Sequence, residues 1–202
     1  MSRKTGIEWT DSTWNPVTGC TRVSAGCDNC YAATLANRLL KAHYTARRPV
    51  VPSTENEADP FAVRLWPERL SEPLEDPTPR MIFVNSMSDL FHADVPDAFV
   101  RRVFEVMLKA NWHIYQVLTK RPGRAFRFWR KSQDLFGGRE IPRHIWMGTS
   151  IENQRVAYRV SQLARIPAAT RFVSCEPLIG PLTLDLEHVH WVIVGGESGP
   201  VR

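Results

Sequence analysis

Three cysteines, Cys20, Cys27 and Cys30, fall within eleven residues, and the only other cysteine is Cys175. The run reads GCTRVSAGCDNCYA from Gly19 to Ala32, a C-x6-C-x2-C spacing. Clustered thiolates are ligands for soft metals. Structural zinc takes four protein ligands in tetrahedral geometry, so three cysteines need a partner. With twelve residues between them, Cys30 and His43 have a zinc-finger-like separation, and a Cys3His zinc site is one reading. Cys175 is another candidate for the fourth place. The other reading is a 4Fe-4S cluster, in which each of four irons is normally held by a thiolate. Three thiolates leave one iron open to chelate a small molecule. Gly19 and Gly26 permit the tight backbone such wrapping needs, and Cys27 and Cys30 stand at i and i+3 in a turn entering a helix. A third possibility is a metal-free interaction protein with its cysteines in the core.

Five short β-like runs must position these groups: MIFVNS from Met81, HIYQVLT from His113, HIWMGTS from His144, RFVSCE from Arg171 and WVIVGGES from Trp191. Each is nearly continuous in apolar character, as strands covered on both faces are. Helical patterns lie between most of them. Asp94 is placed to cap a helix carrying Phe99, Val103 and Met107, and Ser150 one carrying Val156, Val160 and Leu163. Tyr31, Leu35 and Leu39 mark a helix directly after the cysteines. Alternating strands and helices predict a parallel α/β fold in one domain over 1–202, either a barrel or partial barrel or an open doubly wound sheet. Residues 46–79 read as an irregular excursion, partly ordered around FAVRLW from Phe61. The last run is followed by no helix, which suggests truncation.

In parallel α/β folds the site gathers at the C-terminal ends of the strands. Those ends are polar here: Asn85 and Ser86 with Asp89; Thr119, Lys120 and Arg121; Thr149 and Ser150 with Glu152; Glu176; and Gly195, Gly196 and Glu197. Glu176 and Glu197 each follow an apolar run, where a helix cap does not explain them. Paired glycines let a backbone approach a ligand closely, and Glu197 suits an ammonium group or a ribose hydroxyl. Lys120 and Arg121 suit an anionic substrate. Further on, Arg121, Arg124, Arg127 and Arg130 are spaced by three among Phe126, Phe128 and Trp129. That mixture suits nucleic acid, or else a solvated helix whose aromatics face the sheet. Trp9 and Trp14 flank the approach to Cys20, either as a shield for a cluster or as core.

Composition narrows the setting. The net charge is +5 and the pI about 9.3, which favours an anionic partner without requiring one. No apolar run is long enough to span a bilayer, and the N-terminus lacks a signal-peptide core. A cytoplasmic protein is expected, where thiols stay reduced and serve metal binding or catalysis.

The cysteine motif opening an α/β barrel resembles the radical SAM superfamily. There the open iron of a 4Fe-4S cluster binds S-adenosylmethionine and reductive cleavage follows. The commonest spacing in that superfamily is C-x3-C-x2-C with an aromatic residue before the last cysteine. This chain has a first gap of six residues and Asn29 at that position. The CxxCYA ending is similar to that of photoproduct-lyase-type members. A closer resemblance spans almost the whole chain. The runs IEWTDSTWNPVTGCTRVSAGCDNCYA, IFVNSMSDLFH, QVLTKRP, WMGTS, RFVSCEPLIGPL and WVIVGGESGP resemble a phage-associated three-Cys-motif family of unknown function, regarded as radical-SAM-like. The resemblance implies a partial TIM-like barrel, truncated at its C-terminus because members continue past GGESGP. It implies a cluster on Cys20, Cys27 and Cys30, with S-adenosylmethionine held also by Ser86, Glu176, Gly195, Gly196 and Glu197. The letters Gly195–Gly196–Glu197 are similar to a superfamily motif that contacts the methionyl amine, although that motif follows an early strand. An electron donor and a nucleic-acid or nucleotide substrate, met by Lys120 and Arg121, complete the expectation.

Overall fold

The computed structural model describes residue 1 and residues 5–196. Among the described residues eight strands run in chain order: β1 (Ser12–Trp14), β2 (Val17–Thr18), β3 (Arg64–Leu65), β4 (Met81–Val84), β5 (Ile114–Thr119), β6 (Ile145–Ser150), β7 (Arg171–Cys175) and β8 (Trp191–Val194). The helices are α1 (Tyr31–Arg38), α2 (Lys41–Thr45), α3 (Thr54–Ala58), α4 (Glu72–Glu75), α5 (Asp97–Lys109), α6 (Pro122–Lys131) and α7 (Arg159–Ala164). All five β-like runs of the sequence are strands.

Six strands form one parallel sheet in the order β1-β4-β5-β6-β7-β8. Each strand lies beside the next one of that sheet in the chain, without the reversal of order that defines a doubly wound sheet. Right-handed crossovers then place the covering helices on a single face. The packing agrees. Ile82, Val84, Tyr115, Val117, Ile145, Met147 and Val173 join Phe99, Val103 and Met107 of α5, Phe128 of α6 and Leu163 of α7 in one core. Between β7 and β8, where no helix runs, Leu182, Leu184 and Val189 pack against the same core.

The opposite face carries Phe83, Gln116, Trp146, Phe172 and Trp191, and Trp9 lies against it. Gln116 donates to the Trp9 carbonyl at 3.0 Å. The Trp9 ring is 4.7 Å from Phe83 of β4 and 6.3 Å from Trp191 of β8. Those two rings therefore lie within about 11 Å of each other, whereas four strand spacings in a flat sheet would separate their strands by roughly 19 Å. Trp9 thus sits where the sheet curls around it. β1 and β8 are the two edges of the described sheet.

Residues 46–79 form a largely irregular excursion that holds the short elements α3, β3 and α4, and Arg64 ties its first part together. It is fully buried, and its guanidinium donates to the carbonyls of Arg47, Asp59, Ala62, Asn56 and Glu57 at 2.7 to 3.4 Å. One cation satisfies five carbonyls between residues 47 and 62. β3 pairs antiparallel with β2, and Trp66 donates to Thr18 Oγ1 at 2.8 Å. A small second core forms from Ala32, Ala36, Tyr44, Trp66 and Met87.

Three local expectations are corrected. α1 is a helix, but it buries Ala32 and Ala36, whose small side chains allow close approach, and leaves Tyr31, Leu35 and Leu39 exposed. α5 starts after Pro96, not on an Asp94 cap. Ser150 ends β6, while Asn153 caps the following turn by accepting from Arg155 N at 3.0 Å.

Candidate cysteine-lined site

Gly19 brings the cysteine segment into place. Its φ is +84°, and a Cβ there would stand 2.2 Å from the Ala62 carbonyl oxygen, so only glycine fits. Gly19 N donates to Met87 O at 2.9 Å and Cys20 N to Phe61 O at 3.0 Å. Cys20 is thereby tied to the excursion and to the loop after β4.

Two Arg–carboxylate pairs then grip the segment from different strand ends. After β5, Arg121 Nη1 pairs with Asp89 at 2.8 Å and lies 3.5 Å from Cys20 Sγ, while Nη2 donates to Thr21 O at 3.0 Å. Asp89 also accepts from Thr119 Oγ1 at 2.7 Å and from Lys120 N at 3.1 Å. After β6, Glu152 Oε1 accepts from Gly26 N at 3.3 Å, and Arg159 donates to Glu152 at 3.1 Å and to Ser24 Oγ at 2.9 Å. The six-residue gap between Cys20 and Cys27 thus bridges two strand ends, each with its own anchor. Cys27 closes a turn over Ala25–Cys27, and Cys30 stands at the N-cap of α1.

The electrostatics follow from burial. Burial, then Asp89, pushes the free Cys20 thiol up to about 11, with Arg121 pulling the other way. Burial would raise the Glu152 carboxyl, but the Ser24 hydroxyl, Arg159 and the Gly26 N–H outweigh it and hold it below the usual carboxylate range. The Tyr31 side chain keeps part of its surface open but turns its phenol into the cavity, where it donates to Ser86 O at 2.5 Å; enclosure of the phenol there, followed by the charges of Cys30 and Glu176, pushes its ionisation far upward.

A cavity of about 620 Å³ opens between the cysteines and the strand ends. Cys20, Cys27 and Cys30 line it together with Ser86, Lys120, Arg121, Glu176, Gly195 and Gly196, so the expected site residues converge. Glu197 lies outside the described residues. Ser86 Oγ exchanges hydrogen bonds with the Asn15 amide at 3.1 and 3.2 Å. Glu176 Oε2 accepts from Trp9 Nε1 and from Ser174 Oγ, both at 3.3 Å. A Cβ on Gly195 would stand 2.5 Å from Glu176 Oε1, so Gly195 lets backbone close on that carboxylate, whereas a Cβ on Gly196 would meet nothing within 4 Å. Arg121 is committed to Asp89 and Thr21. Lys120 lines the cavity and forms no ion pair among the described residues.

The candidate fourth ligands are elsewhere. Cys175 is buried in the core on the helix face of the sheet. His43 stacks on Trp66 at 4.9 Å, and its Nε2 lies 3.1 Å from Arg69 Nη2, in a separate groove. Among the described residues, no three His, Cys, Asp or Glu converge as they would around a single ion. The basic stripe on α6 also divides. Arg124 pairs with Asp97 at 3.2 Å, and Phe128 is core. Phe126 stacks on Trp129 at 5.9 Å under Arg165, so these aromatics face the fold. Trp14 is core, whereas Trp9 lines the cavity.

Sequence reasoning passed over Tyr31 and Arg159. Tyr31 reads as the start of an apolar helix stripe. A buried arginine on a helix has no signature in a single sequence.

The family model described as "Protein of unknown function (DUF5131)" matches residues 4–202. The chain belongs to this family. No curated protein and no solved structure matches it. The span of the DUF5131 match takes in every cavity residue named above, as well as Glu197. No helix among the described residues is long and apolar enough to cross a membrane.

Proposed function

We propose that this DUF5131 chain is a radical-SAM-like iron–sulfur enzyme on a partial α/β barrel, acting in a phage context on a nucleic acid or nucleotide. The observation that carries the reading is the convergence of Cys20, Cys27 and Cys30 on one cavity with the polar ends of the parallel strands, while Cys175 and His43 lie elsewhere. Three soft donors without a fourth, beside open volume, fit a 4Fe-4S cluster with one iron free and do not complete a structural zinc site, which takes four protein ligands.

Cys20, Cys27 and Cys30 would hold the cluster, which would pass an electron from an external donor for the reductive cleavage of S-adenosylmethionine. The chain's own residues bind and orient. Glu176, held by Trp9 and Ser174, presents an acceptor to an ammonium group, and Gly195 and Gly196 let the ligand's polar end approach backbone. Ser86 offers its hydroxyl from the β4 end. Trp9 and Phe83 wall the cavity against water. Lys120 meets an anionic substrate, and Arg121 holds the Cys20 turn against Asp89.

Anaerobic purification with metal analysis and absorption spectra tests this. The expected result is a brown protein with about four irons per chain. Iron should be lost in Cys20→Ala, Cys27→Ala and Cys30→Ala and kept in His43→Ala. One zinc and no iron, or loss of metal in His43→Ala, overturns the reading in favour of a Cys3His zinc module that binds nucleic acid without catalysis.

A further inference from the structure

Residues 30–54 contain Arg38, Lys41, Arg47 and Arg48 and no Asp or Glu. These 25 residues therefore carry +4 of the chain's net +5, and the other 177 carry +1. The segment is α1, α2 and the turn beyond them, and Arg38, Lys41, His43 and Arg48 are exposed. Among the described residues only Arg47 of this group forms an ion pair, with Glu68.

The charges stand beside a groove lined by His43, Arg47, Arg48, Val50, Leu65 and Trp66, and no carboxylate among the described residues lines it. The Trp66 ring fixes the cations around it. The Arg47 guanidinium lies 4.3 Å from its centroid and that of Arg69 3.9 Å, while His43 stacks on it. Held in this way, the side chains lose less freedom when they bind an anion. Trp66 itself is covered by these cations and offers no face to a base, so the groove suits phosphates rather than stacking.

The location relates this ground to the cavity. α1 starts at Tyr31, which lines the cavity, and its eight residues rise about 12 Å to Arg38 at its far end. Cys30, Ala32, Tyr44 and Trp66 belong to the small core that separates cavity from groove.

We propose that the α1–α2 segment and the groove beside Trp66 bind the phosphate backbone of a nucleic acid and deliver one of its nucleotides to the cysteine-lined cavity. The proposal deepens the nucleic-acid side of the function proposed above and rests on that reading of the substrate. It moves the expected basic surface from α6, where the aromatics are packed, to the helices that follow the cysteines. Lys120 at the cavity continues the same sign of charge.

The test is fluorescence anisotropy of labelled single-stranded DNA and RNA oligonucleotides with the full chain over a range of salt. The variant is R38E/K41E/R48E, with the α6 variant R127E/R130E as control. Each phosphate contact contributes about 0.7 to the single-strand salt slope, so the triple variant should lose about 2 from that slope and bind roughly tenfold or more weakly. The control should change affinity by less than about twofold. Melting curves check the fold, and if the triple variant unfolds, Arg48→Ala replaces it, with a slope lower by about 0.7. The proposal is overturned if the wild type binds neither oligonucleotide, if the α1–α2 variant binds as the wild type does, or if the α6 control loses as much. It is equally overturned if poly-glutamate or phosphatidylserine vesicles bind more tightly than oligonucleotides through the same arginines, which makes the surface one for an acidic protein or a membrane. The readout needs no iron. Oligonucleotide binding by a protein that anaerobic purification yields with zinc and no iron retains this surface and sinks the iron–sulfur reading, and iron without oligonucleotide binding does the reverse.

Discussion

Arg159 Nη1 meets Glu152 Oε2 at 3.1 Å, with the two side chains only 2% and 1% exposed. The same carboxylate accepts from Gly26 N, and the same guanidinium donates to Ser24. A buried ion pair thus underlies the turn that carries Cys27. Removing one partner leaves an uncompensated buried charge, which costs about 3–5 kcal/mol. Glu152→Ala should lower the denaturation midpoint by a corresponding amount. Replacing both, as in E152M/R159L, should restore most of the stability, because apolar groups of similar volume need no partner. Yet the Gly26 anchor is still missing in the double variant. Its iron content should therefore stay low while its unfolding curve recovers, and a double variant that recovers both would make the pair a matter of stability alone.

His92 gives a pH dependence. Its Nδ1 accepts from Asp94 N at 3.1 Å, and its Nε2 lies 2.7 Å from Thr21 Oγ1, an arrangement that suits the neutral ring with its proton on Nε2. Burial, then the charge of Arg121, lowers its pKa below the ordinary histidine value. The unfolded chain therefore takes up this proton at higher pH than the folded one. Stability from His92 is fully present above about pH 6.5 and is lost as the pH falls through the lowered folded value. Denaturant midpoints measured from pH 8 to pH 5 should decline, and His92→Gln should flatten that decline. An equal decline in the variant would assign it to other groups.

Much of this arrangement is legible in the residues. The strands β4 to β8 announce themselves because each is apolar on both faces, and their polar ends converge because parallel strands point the same way. β1 does not announce itself. Ser-Thr-Trp is too short to show a pattern, and only its pairing with β4 makes it a strand. Tyr31, Leu35 and Leu39 show helical spacing but not which face is buried, since the alanines opposite carry little hydrophobic signal. The excursion reads as irregular, and what ties its first part together stays hidden because it is a single buried guanidinium meeting carbonyls, and carbonyls are common to every sequence. Lys120 and Arg121 look equivalent in the chain. Only the position of Asp89 commits Arg121 to the cysteine turn and leaves Lys120 without an ion pair among the described residues.

Gly19 makes a sharp test of how Cys20 is placed. With φ at +84° and the Ala62 carbonyl where a Cβ would go, Gly19→Ala meets rigid backbone rather than a movable side chain. The strained conformation costs more than about 1 kcal/mol. Relief requires the segment to part from residues 61 and 62, breaking the Cys20 N to Phe61 O bond. A lower melting temperature is expected, together with faster thiol alkylation at Cys20 relative to Cys27. Gly6 is the control: a methyl group added there would meet nothing within 4 Å, so Gly6→Ala should change neither.

Trp9 joins the curl of the sheet to the cavity wall, and two substitutions separate those roles. Trp9→Phe keeps an aromatic ring against Phe83 and Trp191 but deletes the indole N–H that Glu176 accepts. That bond is long, so its loss costs about 0.5–1.5 kcal/mol. Trp9→Ala also removes the ring from Phe83 and Trp191 and should cost more than Trp9→Phe, although Gln116 can still donate to the backbone carbonyl at position 9. Denaturant titrations should rank wild type above Trp9→Phe and Trp9→Ala last. The Glu176 carboxylate, freed of one donor in both variants, should bind a cationic ligand less selectively in both alike. If Trp9→Ala unfolds no more easily than Trp9→Phe, the ring does not hold the curl, and the N-terminal segment merely lies on a sheet that bends for other reasons.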